Sequence, residues 1–207
     1  MDEILNFPSV QMLLKRLPHF QLTALSASCT ERLFPCTEAF SETGFEAGVV
    51  ALRSVLDRVW EQLLGDPISS GEREELEKRI LEATPAEQAL LAEPQALQLQ
   101  LAALAAEAVA ACFEGCVWRR RDRLEHPPRL ALAAIEKVAR SRAESGRRPT
   151  REEIELHPLT LRELRNLGDD AMVLETEPWL TLAFLERFRR SARGECGERS
   201  CTVDVFR

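Results

Sequence analysis

The sequence predicts an all-α protein, a single-domain multi-helix bundle of roughly 8–12 helical segments with a short extended carboxy-terminal tail. Apolar residues recur at steps of three and four along nearly the whole chain, and only the last few residues alternate with the period of a strand. Hydrophobic residues make up 45% of the 207 residues, which is enough apolar side chain to build a core.

Helical spacing recurs from the amino terminus to the carboxy-terminal region. The clearest case is one apolar stripe formed by Val49, Leu52, Leu56, Val59 and Leu63. In chain order the predicted helices cover residues 9–17, 19–33, 36–43, 46–64, 71–83, 85–92, 95–118, 128–144, 151–156, 159–167, 170–177 and 179–193. The last three segments could also form one interrupted helix.

Local signals mark the ends of these helices. Pro18 and Pro35 occur where the first turn of a helix tolerates a missing N–H. Gly44 suits a left-handed C-terminal cap. Two capping boxes, in residues 84–87 and 150–153, mark further helix starts because Thr and Glu satisfy the unpaired donors there.

The carboxy-terminal region contains two predicted interruptions. Gly168 is followed by two aspartates, which predicts that one helix ends and the next is capped at this point. Pro178 then forces a kink or a fresh start. The loops elsewhere are too short for interdomain linkers, so we predict one helical domain over residues 1–193 and a flexible or docked tail over residues 194–207.

The charge balance and the amino terminus limit the partners and the compartment. With 34 acidic and 27 basic residues the net charge is -7, which argues against nucleic acid because that ligand requires a concentrated basic face. The first residues lack the basic region and apolar core of a signal peptide, so we expect a cytoplasmic protein. Segment 94–113 is the most apolar, but its three Gln and one Glu predict a buried central helix and no membrane contact.

The six cysteines have neither the spacing of a zinc site nor that of a redox motif. They are Cys29, Cys36, Cys112, Cys116, Cys196 and Cys201. We expect small buried hydrophobic side chains, no metal and no cofactor, and leave open a disulfide in the tail.

The motifs of common enzyme classes are missing from the sequence. The serine-hydrolase, phosphate-loop and dinucleotide-binding patterns do not occur. A di-metal carboxylate bundle needs Glu-x-x-His pairs on two helices, and none of His19, His126 and His157 follows a Glu at that spacing.

Four carboxylates are nevertheless the candidate catalytic residues: Glu31, Asp57, Glu61 and Glu107. Asp57 and Glu61 lie four residues apart and share one helix face, where they repel each other unless a cation lies between them. They could bind a metal or act as acid and base. The commoner outcome is a solvated ion-pair network with nearby arginines, of which the candidates are Arg32, Arg53 and Arg58.

Glu107 is the only charged residue between Glu93 and Glu114. A carboxylate in such an apolar helix either reaches solvent at a narrow seam or is buried, and a buried one must be paired or have a raised pKa. We expect a buried bridge to an arginine, or, if no arginine is near, a functional acid.

Basic residues cluster in the run from Trp118 to His126. We take Arg119, Arg120 and Arg121 as candidates for contacts with a partner, and an acidic protein is the partner that they favour. Arginine is also favoured in the last turn of a helix through the helix dipole, so the run could simply mark a helix end.

The amino-terminal quarter resembles a known family. The stretch "LKRLPHFQLTALSASCTERLFPCTEAFSETGFEAG", followed by "LRSVLDRVWEQL", is similar to the YjaG-like family of bacterial proteins, domain of unknown function 416. The matching positions are Leu17, Phe20, Cys29, Glu31, Arg32, Phe34, Pro35, Phe40, Thr43, Gly44, Phe45, Leu56, Asp57, Trp60 and Glu61. The resemblance implies an all-helical fold and implies no activity.

Two interpretations of the stretch from Cys29 to Gly48 stay open. It could be a structural corner with aromatic anchors, or one wall of a cleft that faces Asp57 and Glu61. The function that we favour is a non-enzymatic protein-interaction module, such as an adaptor, inhibitor or immunity-type protein, and a homodimer is compatible with it. The alternative is a hydrolase or metal-dependent enzyme that uses the clustered carboxylates.

Overall fold

The computed structural model describes residues 7–40, 45–83, 96–142, 149–177 and 179–194. Within these ranges the chain forms helices and contains no strand, so the all-α prediction is confirmed. The helices are α1 (Pro8–Arg16), α2 (His19–Leu33), α3 (Pro35–Phe40), α4 (Glu46–Leu63), α5 (Ser70–Ala83), α6 (Ala96–Val117), α7 (Arg121–Leu124), α8 (His126–Arg142), α9 (Arg151–Glu155), α10 (Pro158–Thr176) and α11 (Leu182–Ala192).

Two helices lie at the centre of the bundle. Helix α6 contacts α2, α3, α4, α5, α7 and α8. Helix α2 is buried at every position from Leu22 to Leu33, and α4, α8, α10 and α11 pack around it. Burial on all sides explains why the sequence of α2 contains small residues and few charges, since only small or paired side chains fit there.

Helix α6 is the segment that raised the question of a membrane. Residues Leu97–Val117 are long and apolar enough to span one, with a mean hydropathy of 1.4, but 61% of that window is buried inside the protein. The surrounding helices therefore cover its apolar faces, as the sequence predicts for a central helix.

A close approach of two helices depends on Gly115. A Cβ at this position would lie 2.5 Å from side-chain atoms of Leu124 in α7, closer than packed atoms allow. Helix α7 was not predicted from the sequence. The glycine lets this single turn pack directly against the end of α6, and the fully buried Leu124 fixes it there.

The capping box at Thr150 is confirmed. The Thr150 hydroxyl accepts from the Glu153 N–H at 3.2 Å, and the Glu153 carboxylate accepts from the Thr150 N–H at 2.7 Å. Helix α8 begins at His126, two residues earlier than predicted, because Pro127 and Pro128 fit its first turn. Residues 84–87, Gly44, Pro178, the predicted helix over 85–92, and the tail from residue 195 with Cys196 and Cys201 lie outside the described residues.

The predicted break at Gly168 is wrong, because α10 runs without interruption from Pro158 to Thr176. By local rules Asp170 is a helix-capping residue. In the folded chain its carboxylate is buried and accepts hydrogen bonds from Arg32 and Ser28, so a tertiary contact determines its role.

Candidate ligand-binding pocket and ion networks

Helix α2 supplies two adjacent charged residues, Glu31 and Arg32, that point to different parts of the bundle. Successive residues of an α-helix are about 100° apart around its axis, because one turn takes 3.6 residues. Glu31 therefore meets α4 and α11, whereas Arg32 meets α10. Both side chains are buried, and each must be paired.

Arg32 forms a network that is closed to solvent, which we call the closed network (Ser28, Arg32, Glu163 and Asp170). Its guanidinium donates to Glu163 Oε1 at 2.8 Å and to Asp170 Oδ2 at 2.6 Å. Ser28 donates to the same Asp170 oxygen at 2.8 Å. Burial opposes the charge on Arg32, but the neighbouring Glu163 and Asp170 outweigh it and raise the pKa of the guanidinium further.

Glu31 forms a second network with three arginines. Its fully buried carboxylate accepts hydrogen bonds from Arg53 at 2.6 Å, from Arg189 at 3.1 Å and from Arg193 at 3.2 and 3.3 Å. Burial alone would raise the pKa of Glu31, but Arg53 and Arg193 outweigh burial and hold it below its ordinary value. Glu31 is therefore ionised at neutral pH.

Asp57 completes this second network at its solvent-facing side. Its Oδ1 accepts from Arg189 and, at 3.2 Å, from Arg193, and its side chain is 39% exposed. We call Glu31, Asp57, Arg53, Arg189 and Arg193 the open network, because a pocket adjoins it.

Aromatic rings support two of the arginines in the open network. The Arg53 guanidinium lies 3.6 Å from the centre of the Phe34 ring. The Arg189 guanidinium lies 5.6 Å from the centre of the Trp60 ring, which is itself packed edge-on against Phe188. These cation–π contacts and the bonds to Glu31 hold the guanidinium groups in place.

The pocket has a volume of about 320 Å³ and opens to solvent. It is lined by Glu31, Pro35, Glu38, Arg53, Asp57 and Arg193. Glu31, Pro35 and Glu38 of the stretch that begins at Cys29 thus form one wall of a pocket that faces Asp57 but not Glu61, so the second interpretation holds in part. The same stretch also anchors the fold through the buried Phe34, as the first interpretation proposes.

Glu61 and Glu107 lie outside this pocket. Glu61 is exposed and pairs with Arg58 at 3.2 Å, so Asp57 and Glu61, the two candidate acids of α4, belong to different ion pairs. The expected buried bridge from Glu107 to an arginine is wrong, and the other alternative, exposure at a seam, is what the structure has: its side chain is 49% exposed, between α6 and the start of α8. Its ionic neighbour there is His126, whose Nδ1 lies 3.9 Å away.

The three candidate partner-binding arginines lie at the corner between α6 and α7. Arg119 and Arg120 are exposed, and Arg120 pairs with Asp122 at 2.7 Å. Arg121 instead donates to the backbone carbonyls of Leu17, at 3.0 Å, and Leu14, and so fastens the end of α1. Arg121 therefore has a structural role that the sequence did not predict.

The four described cysteines are buried and form no disulfide, as expected for small hydrophobic side chains. Burial raises the pKa of Cys112 and of Cys116 to about 12 and that of Cys29 further, so all three are neutral thiols. Within the part of the chain that the structure describes, no three His, Cys, Asp or Glu side chains converge as a metal site would require.

Sequence reasoning missed the arginines of α11 and the acid at the pocket rim, Glu38. Arg189 and Arg193 lie 158 and 162 residues from Glu31 along the chain. Their spacing of four residues places both on one helix face. Two arginines on one face indicate that acidic partners lie opposite them, so this signal was present in the sequence. The Glu31–Arg32 pair within the family-like motif was the strongest available signal for both networks.

Comparison with known proteins identifies the fold. Neither the family models nor the curated proteins include a match to this chain. Its structure is similar to that of a DUF416 family protein from Shewanella baltica OS155, with a TM-score of 0.76 over 90% of this chain and 94% of that chain at 16% identity. The chain therefore has the all-helical fold of a DUF416 family protein, which is the fold that its amino-terminal resemblance predicts.

Proposed function

We propose that this chain is a non-enzymatic protein-interaction module of the DUF416 family, and that it binds an acidic segment of a partner protein at the α6–α7 corner. This corner is formed by Trp118, Arg119 and Arg120. The amino-terminal motifs and the shared fold together support the membership of this chain in the family.

The backbone of Arg119 is the observation that carries the proposal. Its φ of 53° is in the left-handed region, and the Arg120 N–H donates to the Gly115 carbonyl at 3.1 Å, which closes the end of α6. Glycine usually occupies such a position, because other residues pay about 1–2 kcal/mol for it. Non-glycine residues in strained conformations cluster at functional sites, so an exposed arginine where glycine would suffice to close the helix supports a binding role.

Trp118 supports the same interpretation. Its side chain is 51% exposed, yet the Arg73 guanidinium lies 4.3 Å from its ring centre and its indole N–H donates to Glu77 at 3.3 Å. A large aromatic side chain that is exposed and also held in one orientation loses little entropy on binding. Tryptophan and arginine are the residues that most often dominate the energy of protein interfaces.

Charge favours an acidic partner at this corner. The exposed pair of Arg120 with Asp122 contributes little stability, so a competing carboxylate can replace Asp122 at low cost. The whole chain carries a net charge of -7, so its overall charge does not attract an acidic partner. The attraction must come from the local arginines of the corner.

The enzymatic alternative has less support. The carboxylate of Glu31 accepts from three arginines, which favours its ionised form and leaves it poorly placed to accept a proton. Of the four candidate acids only Glu31 and Asp57 line the pocket, whereas Glu61 and Glu107 lie elsewhere, so the four do not converge on one reacting group.

The test uses the variant Arg119→Gly, which removes the side chain and also removes the strain of a non-glycine residue in the left-handed conformation. We expect its thermal midpoint to rise by about 2–4 °C, which corresponds to roughly 1 kcal/mol for a chain of this length. A loss of binding in this variant cannot then be attributed to unfolding.

Binding is measured by affinity purification of the tagged full chain from its host, with quantification of each captured protein. We expect an acidic partner that wild type captures, that Arg119→Gly and Trp118→Ala lose, and that high salt releases. The control Arg187→Ala removes an exposed arginine on α11 and should retain the partner. Identical capture by wild type and Arg119→Gly, or no capture by either, would overturn the proposal.

A further inference from the structure

We infer that the pocket beside the open network binds a small zwitterion of the α-amino acid class. This inference concerns a second site, formed by α2, α3, α4 and the end of α11, and is independent of the α6–α7 corner.

The size of the pocket limits the ligand. Small-molecule sites have volumes of roughly 300–1,000 Å³, and about 320 Å³ is at the lower end of that range. A single amino acid fits a pocket of this size, whereas a nucleotide or a folded protein element needs more room.

The charges of the pocket select a ligand that carries both signs. The pocket is lined by the carboxylates of Glu31, Glu38 and Asp57 and by the guanidinium groups of Arg53 and Arg193. Arg189 lies outside the lining and pairs with Glu31 and Asp57, so the formal charges of these six residues cancel. A ligand with only negative charge would face the three acids, and a ligand with only positive charge would face the arginines. A zwitterion places each of its charges against the opposite one without adding net charge to the site.

Positively and negatively charged side chains both line the pocket. Arg53 and Arg193 line it, and a planar guanidinium is suited to a carboxylate because it donates two parallel hydrogen bonds. Asp57 and Glu38 line the same pocket and are more exposed than the arginines, so they are placed to accept from an ammonium group. The two halves of an amino acid thus have separate counterparts.

The buried Glu31 makes this arrangement rigid. Its carboxylate accepts hydrogen bonds from Arg53 and Arg193, and the Arg53 guanidinium also packs over the Phe34 ring. Groups that are already held in their binding geometry do not lose entropy when the ligand arrives. A carboxylate with no role beyond packing could be replaced by an apolar side chain, whereas one that orients three arginines beside a pocket prepares a binding site.

The test is isothermal titration calorimetry of the full chain with each standard L-amino acid, with inorganic phosphate as the simple anion. We expect at least one amino acid to bind in the millimolar range or tighter. For that amino acid, the N-acetyl form lacks the ammonium and the amide form lacks the carboxylate. Each modified form should bind at least about tenfold more weakly, since one charged hydrogen-bonded contact is lost.

Variants assign the binding to the pocket. Asp57→Asn should weaken binding of the amino acid at least about tenfold, because the contact with its ammonium group is lost. Glu61→Gln, on the same helix but outside the pocket, should bind as wild type does. Absence of heat with every amino acid, equal binding of the N-acetyl form or of phosphate, or an unchanged affinity in Asp57→Asn would overturn the inference. None of these results bears on capture at the α6–α7 corner.

Discussion

Arg32 lies in a network closed to solvent, whereas Glu31, the residue before it, lies in a network that opens into a pocket. In the closed network one arginine binds two buried acids, Glu163 and Asp170. In the open network two acids share three arginines, and Asp57 is partly exposed. The same types of residue therefore occur in two environments, and the difference between them is access to solvent.

Burial determines whether a charged side chain can change its partner. A charge that is cut off from water must keep its partners, because the loss of one leaves the others uncompensated. A charge at the edge of a pocket can exchange its partner for water or a ligand at small cost. We therefore assign the closed network to architecture and the open network to binding, and the following variants test that assignment.

The largest effect is expected from Arg32→Met. This variant leaves Glu163 and Asp170 buried without their cation, so we expect the free energy of unfolding to fall by about 3–5 kcal/mol. Urea unfolding measures the loss. A triple variant that also carries Glu163→Met and Asp170→Leu should recover most of it, since an apolar core replaces all three charges. A loss below about 1 kcal/mol for Arg32→Met would contradict the closed network's structural role.

A smaller effect, with a defined pH dependence, is expected from Glu31→Gln. The variant removes the acid that three arginines share, and we expect a loss of about 2 kcal/mol at neutral pH. The folded-state pKa of Glu31 lies below its ordinary value of 4.5. Its contribution to stability is therefore fully present above pH 4.5 and is lost as the pH falls through the lower folded-state value.

Urea unfolding of both proteins over the acidic pH range tests this sign. Wild type should lose more stability than Glu31→Gln as the pH falls below about 4.5, so that the two curves approach each other. Parallel curves would show that the Glu31 carboxylate contributes no such linkage.

The smallest effect is expected from Arg193→Ala. Its side chain is partly exposed and Arg53 and Arg189 still pair with Glu31, so we expect a loss of about 1 kcal/mol. Thermal unfolding measures it against Arg187→Ala, an exposed arginine of the same helix that should change little. A loss as large as that of Arg32→Met would remove the distinction between the two networks.

Most of the fold was predictable because its signals are local. Helical spacing and the capping box at Thr150 need no knowledge of distant residues, and they located most helices correctly. The break predicted at Gly168 is wrong because the role of Asp170 depends on a distant residue. Asp170 is read locally as a cap, but its partner Arg32 lies 138 residues away along the chain.

The candidate site was predictable only in part. Glu31 and Asp57 were identified from their motif and spacing, and the structure brings them together. Their arginine partners in α11 were missed, because pairing across more than 130 residues depends on tertiary packing. The position of Glu107 was missed since an apolar helix does not reveal which of its faces meets a seam.

The most direct test of the account is a matched pair of variants, Asp170→Asn and Asp57→Asn, compared by urea unfolding at neutral pH. Both remove one carboxylate charge that faces arginine, one in the fully buried closed network and one in the open network. We predict a loss of about 3 kcal/mol or more for Asp170→Asn and of about 1 kcal/mol or less for Asp57→Asn. Equal losses would contradict the distinction between the two networks.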